Sequence, residues 1–258
     1  MGTFQIEKWY MDAHSEDGNA FIGYAAKLTW GSITLHYSGY TFSPANTSKI
    51  FNSNSFSDAK FPEETTSIIR WNYHDIEGEW TKVDDSFEET LLNDSKGLIE
   101  WKVIFPSAKA KVRFRKDAAQ EYIGYVEKIR LTIPPWDIPI KELYWGRFLG
   151  QNNTLIWIQW RGPVPKVFVY FNGNRQEGAL ITTESVEFGD FILDLTEKRT
   201  LRKGTILSTV FKRFPAISNL FPKKIFALSE NKWLSDSVLK RNGKIVCHGK
   251  AIHEYVVW

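Results

Sequence analysis

Hydrophobic positions recur at every second residue over much of this chain. Ile22, Tyr24, Ala26, Leu28 and Trp30 alternate with Gly23, Ala25, Lys27 and Thr29, which is the period of a half-buried strand and not of a helix. Ile33, Leu35 and Tyr37 continue the pattern. Short runs rich in β-branched and aromatic residues follow at 98–105, 123–133, 143–149, 155–160, 167–171, 188–195 and 251–258, punctuated by Gly, Asn and Pro. One brief stretch, 84–92, reads as helix, and 43–62, rich in Ser, Asn and Phe, reads as a long loop. Asn172-Gly173 after the run 167–171 is a hairpin signal, because both residues tolerate positive φ. The expected class is all-β, with antiparallel barrels as the natural way to remove so many sheet edges.

Consecutive prolines interrupt strand pairing, so Pro134-Pro135 is the expected boundary between two units, 1–133 and 134–258. A weak internal echo agrees with a duplicated plan: Phe21-Ile22-Gly23-Tyr24-Ala25-Ala26-Lys27 resembles Tyr122-Ile123-Gly124-Tyr125-Val126-Glu127-Lys128.

Composition adds one unusual feature. Among 258 residues there are 11 Trp, 10 Tyr and 18 Phe but only 2 Met, so the core must be built from wide, stiff side chains. The net charge is +3. The basic pairs Lys198-Arg199, Lys212-Arg213, Lys223-Lys224 and Lys240-Arg241 are read as solvated loop ends, with no nucleic-acid partner expected. A single cysteine, Cys247, excludes an internal disulfide. The start shows no basic stretch leading into an apolar run, so a cytoplasmic protein without a membrane span is expected. The five histidines have no ligand spacing, and no phosphate- or dinucleotide-binding glycine motif is present, so neither metal nor organic cofactor is expected. His253-Glu254 reads as a hydrogen-bonding element that closes a barrel.

Two charged residues stand out against the alternation. On a strand through 123–132, Ile123, Tyr125, Glu127, Ile129 and Leu131 share one face, read as the apolar interior, whereas Gly124, Val126, Lys128, Arg130 and Thr132 share the other, read as solvent-facing. A carboxyl group facing apolar surroundings is costly when ionised and is driven toward the neutral acid, which is how a general acid is made. The alternatives are that Glu127 pairs with an inward Arg or Lys, or that a bulge turns it outward. Ile99, Trp101, Val103 and Phe105 form a second apolar face that carries a large π surface. Arg147 shares a face with Leu143, Trp145 and Leu149, where a structural carboxylate such as Asp190, Asp194 or Glu127 would be its partner.

Glu7-Lys8-Trp9-Tyr10-Met11-Asp12, Phe21-Ile22-Gly23-Tyr24, Ile99-Glu100-Trp101, Gly124-Tyr125-Val126-Glu127, Trp145-Gly146-Arg147-Phe148 and Ala251-Ile252-His253-Glu254 occur in an order that resembles the AttH-like and carotenoid 1,2-hydratase (hydroxyneurosporene synthase) family. The resemblance implies two lipocalin-like antiparallel β-barrels side by side, a ligand cleft at or between them, and cofactor-free chemistry. Tyr125-Val126-Glu127 matches that family's Tyr-x-Asp acid motif with a longer acid. Ile99-Glu100-Trp101 keeps the tryptophan of its His-x-Trp element but replaces the histidine. The implied activity is acid-initiated cyclisation or hydration at an alkene of an apolar isoprenoid or polyene substrate. Glu127, Tyr125 and Trp101 are the catalytic candidates, and Ile99, Trp145, Arg147 and Tyr24 the ligand contacts. A pericyclic, Diels-Alderase-type cyclase and a non-catalytic carrier of an apolar ligand are the alternatives.

Overall fold

The computed structural model describes residues 4–205, 222 and 228–258. They form two antiparallel sheets, and the only regular non-strand element among them is a 3-10 turn at Pro135–Asp137. Chain contacts divide the molecule into two compact units, Met1–Pro134 and Pro135–Trp258.

The first unit contains β1 (Phe4–His14), β2 (Ala20–Trp30), β3 (Ile33–Ser43), β4 (Phe51–Ser55), β5 (Glu63–Glu64), β6 (Ile68–Tyr73), β7 (Ile76–Lys82), β8 (Phe87–Asp94), β9 (Gly97–Phe114) and β10 (Gln120–Leu131). They pair in the order β4-β3-β2-β1-β10-β9-β7-β6-β5, with β8 added beside the first half of β9. The second unit contains β11 (Glu142–Gly150), β12 (Thr154–Arg161), β13 (Lys166–Phe171), β14 (Asn174–Gln176), β15 (Leu180–Ile181), β16 (Ser185–Phe188), β17 (Phe191–Thr205), β18 (Ser229–Arg241) and β19 (Lys244–Val257), ordered β14-β13-β12-β11-β19-β18-β17-β16-β15. In each unit side chains from strands along the whole order converge on one buried cluster, so each sheet curls around its own core. Asn172 and Gly173 have φ of 48° and 76° and close the tight β13–β14 hairpin.

Two expectations about local structure fail. Residues 87–94 form strand β8 and not a helix, because cross-strand pairing with β9 overrides their local preference. The stretch 43–62 is not all loop, since Phe51–Ser55 pairs with Ser38–Phe42. The basic pairs also differ from loop ends. Lys198-Arg199 lies within β17, and Lys240-Arg241 closes β18, where Lys240 and Arg241 face Asp194 and Asp190 at 2.6 and 3.9 Å. Lys212-Arg213 and Lys223-Lys224 lie outside the described residues.

The aromatic excess explains which face of each sheet is inside. Trp80 lies against Gly124, where a Cβ would stand 2.5 Å from the indole, and its Nε1 donates to the Asp12 carbonyl at 2.9 Å. Trp71 lies against Gly23, where a Cβ would stand 2.8 Å from the ring, and donates to the Lys60 carbonyl at 2.8 Å. In the second unit Trp157 occupies the space above Gly146 in the same way. A glycine in a strand is normally a weakness, but here it admits the close approach of a ring. The echoed Gly-Tyr sequences therefore have a physical meaning: the glycine accepts a tryptophan from the core and the tyrosine points to the opposite face.

This reverses one sequence expectation. Tyr122, Gly124 and Val126 face the barrel core, while Ile123 is 40% exposed. Residues 125 and 127 share a face as expected, but it is the face away from the core. Reading Gly124 as solvent-facing failed because its interior space is filled by a tryptophan from β7. Strand β9 also departs from simple alternation: it carries two register irregularities opposite Gly124–Glu127, so Phe105 joins the core cluster while Val103 stands beside Glu127.

Gly124→Ala is expected to overpack Trp80 and to destabilise the protein by about 1–3 kcal/mol. Urea unfolding should show a lower midpoint with an unchanged slope.

Candidate functional site

The register of β2, β1, β10 and β9 brings the sequence candidates of the first unit together. One rung runs Tyr24–Tyr10–Glu127–Val103, and its neighbour brings Ile22, Asp12 and Tyr125 into line. Trp101 and Ile99 follow Val103 on the same face of β9 at two-residue steps. None of these side chains belongs to the barrel-core cluster, yet Ile22, Tyr10, Asp12, Tyr24, Ile99, Trp101 and Tyr125 are all buried. The sheet therefore buries both faces, one filled with hydrocarbon and indole, the other with aromatics that carry polar tips.

Glu127 is half-buried at the centre of this second layer. Its Oε2 accepts hydrogen bonds from Trp101 Nε1 at 2.6 Å and from Tyr125 OH at 2.7 Å. Both are short hydrogen bonds that fix the side chain's rotamer. Phe87 of β8 packs edge-on against Trp101 at 5.7 Å, and Tyr10 stands edge-on to both Tyr24 and Tyr125, at 5.5 and 6.2 Å. Lys8 Nζ sits 5.1 Å from the centre of the Tyr24 ring.

Sequence reasoning missed Asp12. This carboxyl group is fully buried and accepts a hydrogen bond from Tyr10 OH at 2.9 Å. Its signal was present: in β1 the alternation places Tyr10 and Asp12 opposite Trp9, Met11 and Ala13, the residues that pack on the core. The face thus carries two Tyr–carboxyl pairs on neighbouring strands, Tyr10–Asp12 and Tyr125–Glu127.

Trp145 and Arg147 belong to the second unit, where they flank Gly146 on the face of β11 away from the core. Arg147 is fully buried, and its Nη1 donates to the Lys250 carbonyl at 3.2 Å. Of its expected carboxylate partners, Asp194 meets Lys240 and Asp190 meets Arg241. Trp145 lies under Lys232 Nζ at 5.2 Å. Lys232 is 2% exposed and forms ion pairs with Glu254 at 2.6 Å and Glu230 at 3.8 Å, and Glu230 also faces Arg202 at 3.5 Å. Lys232 was not legible as a candidate, because nothing in its local sequence distinguishes it from a solvated lysine.

His253 projects the other way, to the inner side of the second sheet. Its Nε2 and Ser235 Oγ are 2.7 Å apart, Trp233 lies 5.2 Å from its ring, and Lys198 Nζ sits 5.7 Å from the Trp233 ring. Burial, assisted by the positive charge of Lys198, pushes its pKa down from 6.5 to about 3. The imidazole is therefore neutral in the fold and ties β18 to β19, a structural hydrogen bond like the one expected of His253-Glu254.

Among the described residues no group of three or more His, Cys, Asp or Glu side chains is placed to hold a metal ion. No helix among them is long and apolar enough to cross a membrane.

No family model matches the chain, and no curated protein matches its sequence. Solved structures do match its fold. An AttH-type protein of Nitrosomonas europaea superposes with a TM-score of 0.60 at 10% identity, covering 98% of this chain and 92% of that one. CghA crystallised with Sch210972 gives 0.59 at 9% identity, covering 98% and 88%. Kievitone hydratase of Nectria haematococca gives 0.54 at 12% identity, covering 99% and 89%. The chain has the AttH-like, lipocalin-type fold over essentially its whole length.

His253→Gln is expected to flatten the acid limb of the stability curve. The unfolded histidine takes up a proton below about pH 6.5 and the folded one only near 3, so stability is full above 6.5 and falls by a few kcal/mol as pH drops between those values. Denaturant titrations at pH 4, 5, 6 and 7 should show this contribution in the native protein and its loss in the variant.

Proposed function

We propose that the protein is a cofactor-independent enzyme that protonates an alkene of an apolar, isoprenoid-like or polyene substrate and thereby starts a cyclisation. The observation that carries this reading is the convergence of Trp101 Nε1 and Tyr125 OH on a single oxygen of Glu127. With Trp101 and Tyr125 fixing Oε2, a protonated Glu127 is held in one orientation for delivery of its hydrogen to the alkene. After transfer, the same two donors hold the carboxylate as its charge develops, so the conjugate base is stabilised by dipoles already in place. Tyr125 both orients the acid and offers a path for its reprotonation.

The surrounding rings suit the other product of that step. Trp101, Tyr10 and Tyr24 present π faces and edges in the layer around the acid, and an aromatic face attracts a desolvated cation by roughly 2 kcal/mol. Ile99 is 2% exposed and apolar, so on β9 no imidazole stands near Trp101 to activate water. Quenching by an internal alkene or by loss of a proton is therefore favoured over capture by water. Kievitone hydratase is by its name a hydratase, and CghA binds a small molecule in its crystal. Both are compatible with small-molecule chemistry on this fold, while the isoprenoid-like or polyene substrate class is what the resemblance of the sequence motifs implies.

Candidate polyenes incubated in deuterated water should yield a cyclised product with one deuterium at the protonated carbon. Glu127→Gln and Glu127→Ala should each lower turnover about 10²- to 10⁴-fold, the usual contribution of a general acid. Tyr125→Phe should cost about tenfold, as expected for one hydrogen bond to a charged group. Unlabelled product from an active Glu127→Gln variant would instead identify a pericyclic cyclase, in which the cleft contributes orientation alone. Saturable binding of a polyene without product would identify a carrier.

A further inference from the structure

Two tight hairpins of the second unit close on the same dipeptide and differ in one respect. Asn172-Gly173 joins β13 to β14, Asn242-Gly243 joins β18 to β19, and the sequence contains no other Asn-Gly. Their backbones match: φ is 48° and 76° in the first turn and 50° and 77° in the second. In each, the asparagine N–H donates to a main-chain carbonyl, that of Thr154 at 2.8 Å and that of Asp190 at 2.9 Å. All four turn residues are exposed, and both glycines have open space where a side chain would stand.

The side chains do not match. Asn172 Oδ1 accepts from the Thr154 N–H at 2.8 Å and its Nδ2 donates to Asn153 Oδ1 at 3.3 Å, so both ends of that carboxamide are tied. The Asn242 carboxamide makes no hydrogen bond among the described residues. The difference bears on a reaction that Asn-Gly can undergo unaided. The main-chain nitrogen after an asparagine can attack the side-chain carbonyl carbon, and glycine, with no Cβ, leaves that nitrogen least hindered. For the attack the carboxamide must swing over the glycine nitrogen. That movement breaks two hydrogen bonds at Asn172 and none at Asn242.

We infer that Asn242 is a site of spontaneous deamidation and that Asn172 is protected from it. Gly243 N gives up its proton to hydroxide and bonds to Asn242 Cγ; the Cγ–Nδ2 bond breaks, ammonia leaves and a cyclic imide remains. Water then adds at one of the two imide carbonyls. Cleavage of the Cγ–N bond gives aspartate, and cleavage of the bond from the main-chain carbonyl to that nitrogen gives isoaspartate. The balance is one water consumed and one ammonia released, with a neutral amide replaced by a carboxylate. Isoaspartate routes the main chain through the side chain, so it lengthens a turn that now spans two residues between the paired Arg241 and Lys244. The inference does not depend on the acid chemistry assigned to Glu127.

The full chain, aged at mildly alkaline pH, digested after glutamate and sequenced by tandem mass spectrometry, reads the conversion of amide to acid at each position. Position 242 should convert about tenfold faster than 172, the factor expected when two hydrogen bonds must break first at one site and none at the other. In unfolding concentrations of urea the two rates should converge. Asn153→Ala, which removes one tie of the Asn172 carboxamide, should speed conversion at 172 and leave 242 unchanged. Asn242→Gln should remove the first acidic species that ion exchange resolves from the aged native protein. Conversion at 172 as fast as at 242, an intact Asn242, a rate difference that persists in urea, or an Asn172 rate indifferent to Asn153→Ala would each overturn the inference.

Discussion

The contact on which both units depend is an indole ring pressed onto a strand glycine. Trp71 on Gly23, Trp80 on Gly124 and Trp157 on Gly146 bring a large flat side chain closer to a neighbouring backbone than any other residue type allows. Such a contact excludes water over a wide area and satisfies van der Waals attraction across the full ring. For Trp71 and Trp80 the indole N–H is also satisfied by a main-chain carbonyl, so the burial carries no unpaired donor. The contact is directional as well. Once the ring occupies one side of the glycine, the residues before and after it must project to the other.

That constraint places the polar side chains. Tyr24 and Tyr125 follow glycines that hold Trp71 and Trp80, and Trp145 and Arg147 bracket the glycine that holds Trp157. In each unit the face away from the core is therefore not a conventional solvent face. In the first it gathers two tyrosine–carboxyl pairs, Tyr10–Asp12 and Tyr125–Glu127. In the second it gathers a buried guanidinium and a lysine held between two glutamates. Buried charges of this kind are costly and persist only where hydrogen bonds and counter-charges satisfy them. Their concentration on one face of each sheet is the reason to assign chemistry there.

Period-two alternation made the all-β class legible, and the same alternation grouped Tyr125 with Glu127 and Trp145 with Arg147. It could not tell which group pointed into the barrel. Gly124 looks like a solvent position only while Trp80, forty-four residues away in sequence, is ignored. Strand β8 was misread for a related reason: its acidic residues carry no strong strand preference of their own and gain their conformation from β9. Asp12 was overlooked because an acid next to Met11 near the chain start gives no local sign of full burial. The change of face within β9 was the least legible feature, since it depends on two extra residues whose effect appears only against the register of β10.

Those two extra residues have a mechanical consequence. They cancel in phase, so that Trp101 and Val103 lie on the outer face while Ala108 and Ala110 keep the inner one. The same short stretch of backbone supplies Ile104 and Phe105 to the core and, through Trp101, the support of an acid. Deleting one of the two extra residues would invert the faces of 97–103 and carry Trp101 away from Glu127, whereas deleting both would leave it in place.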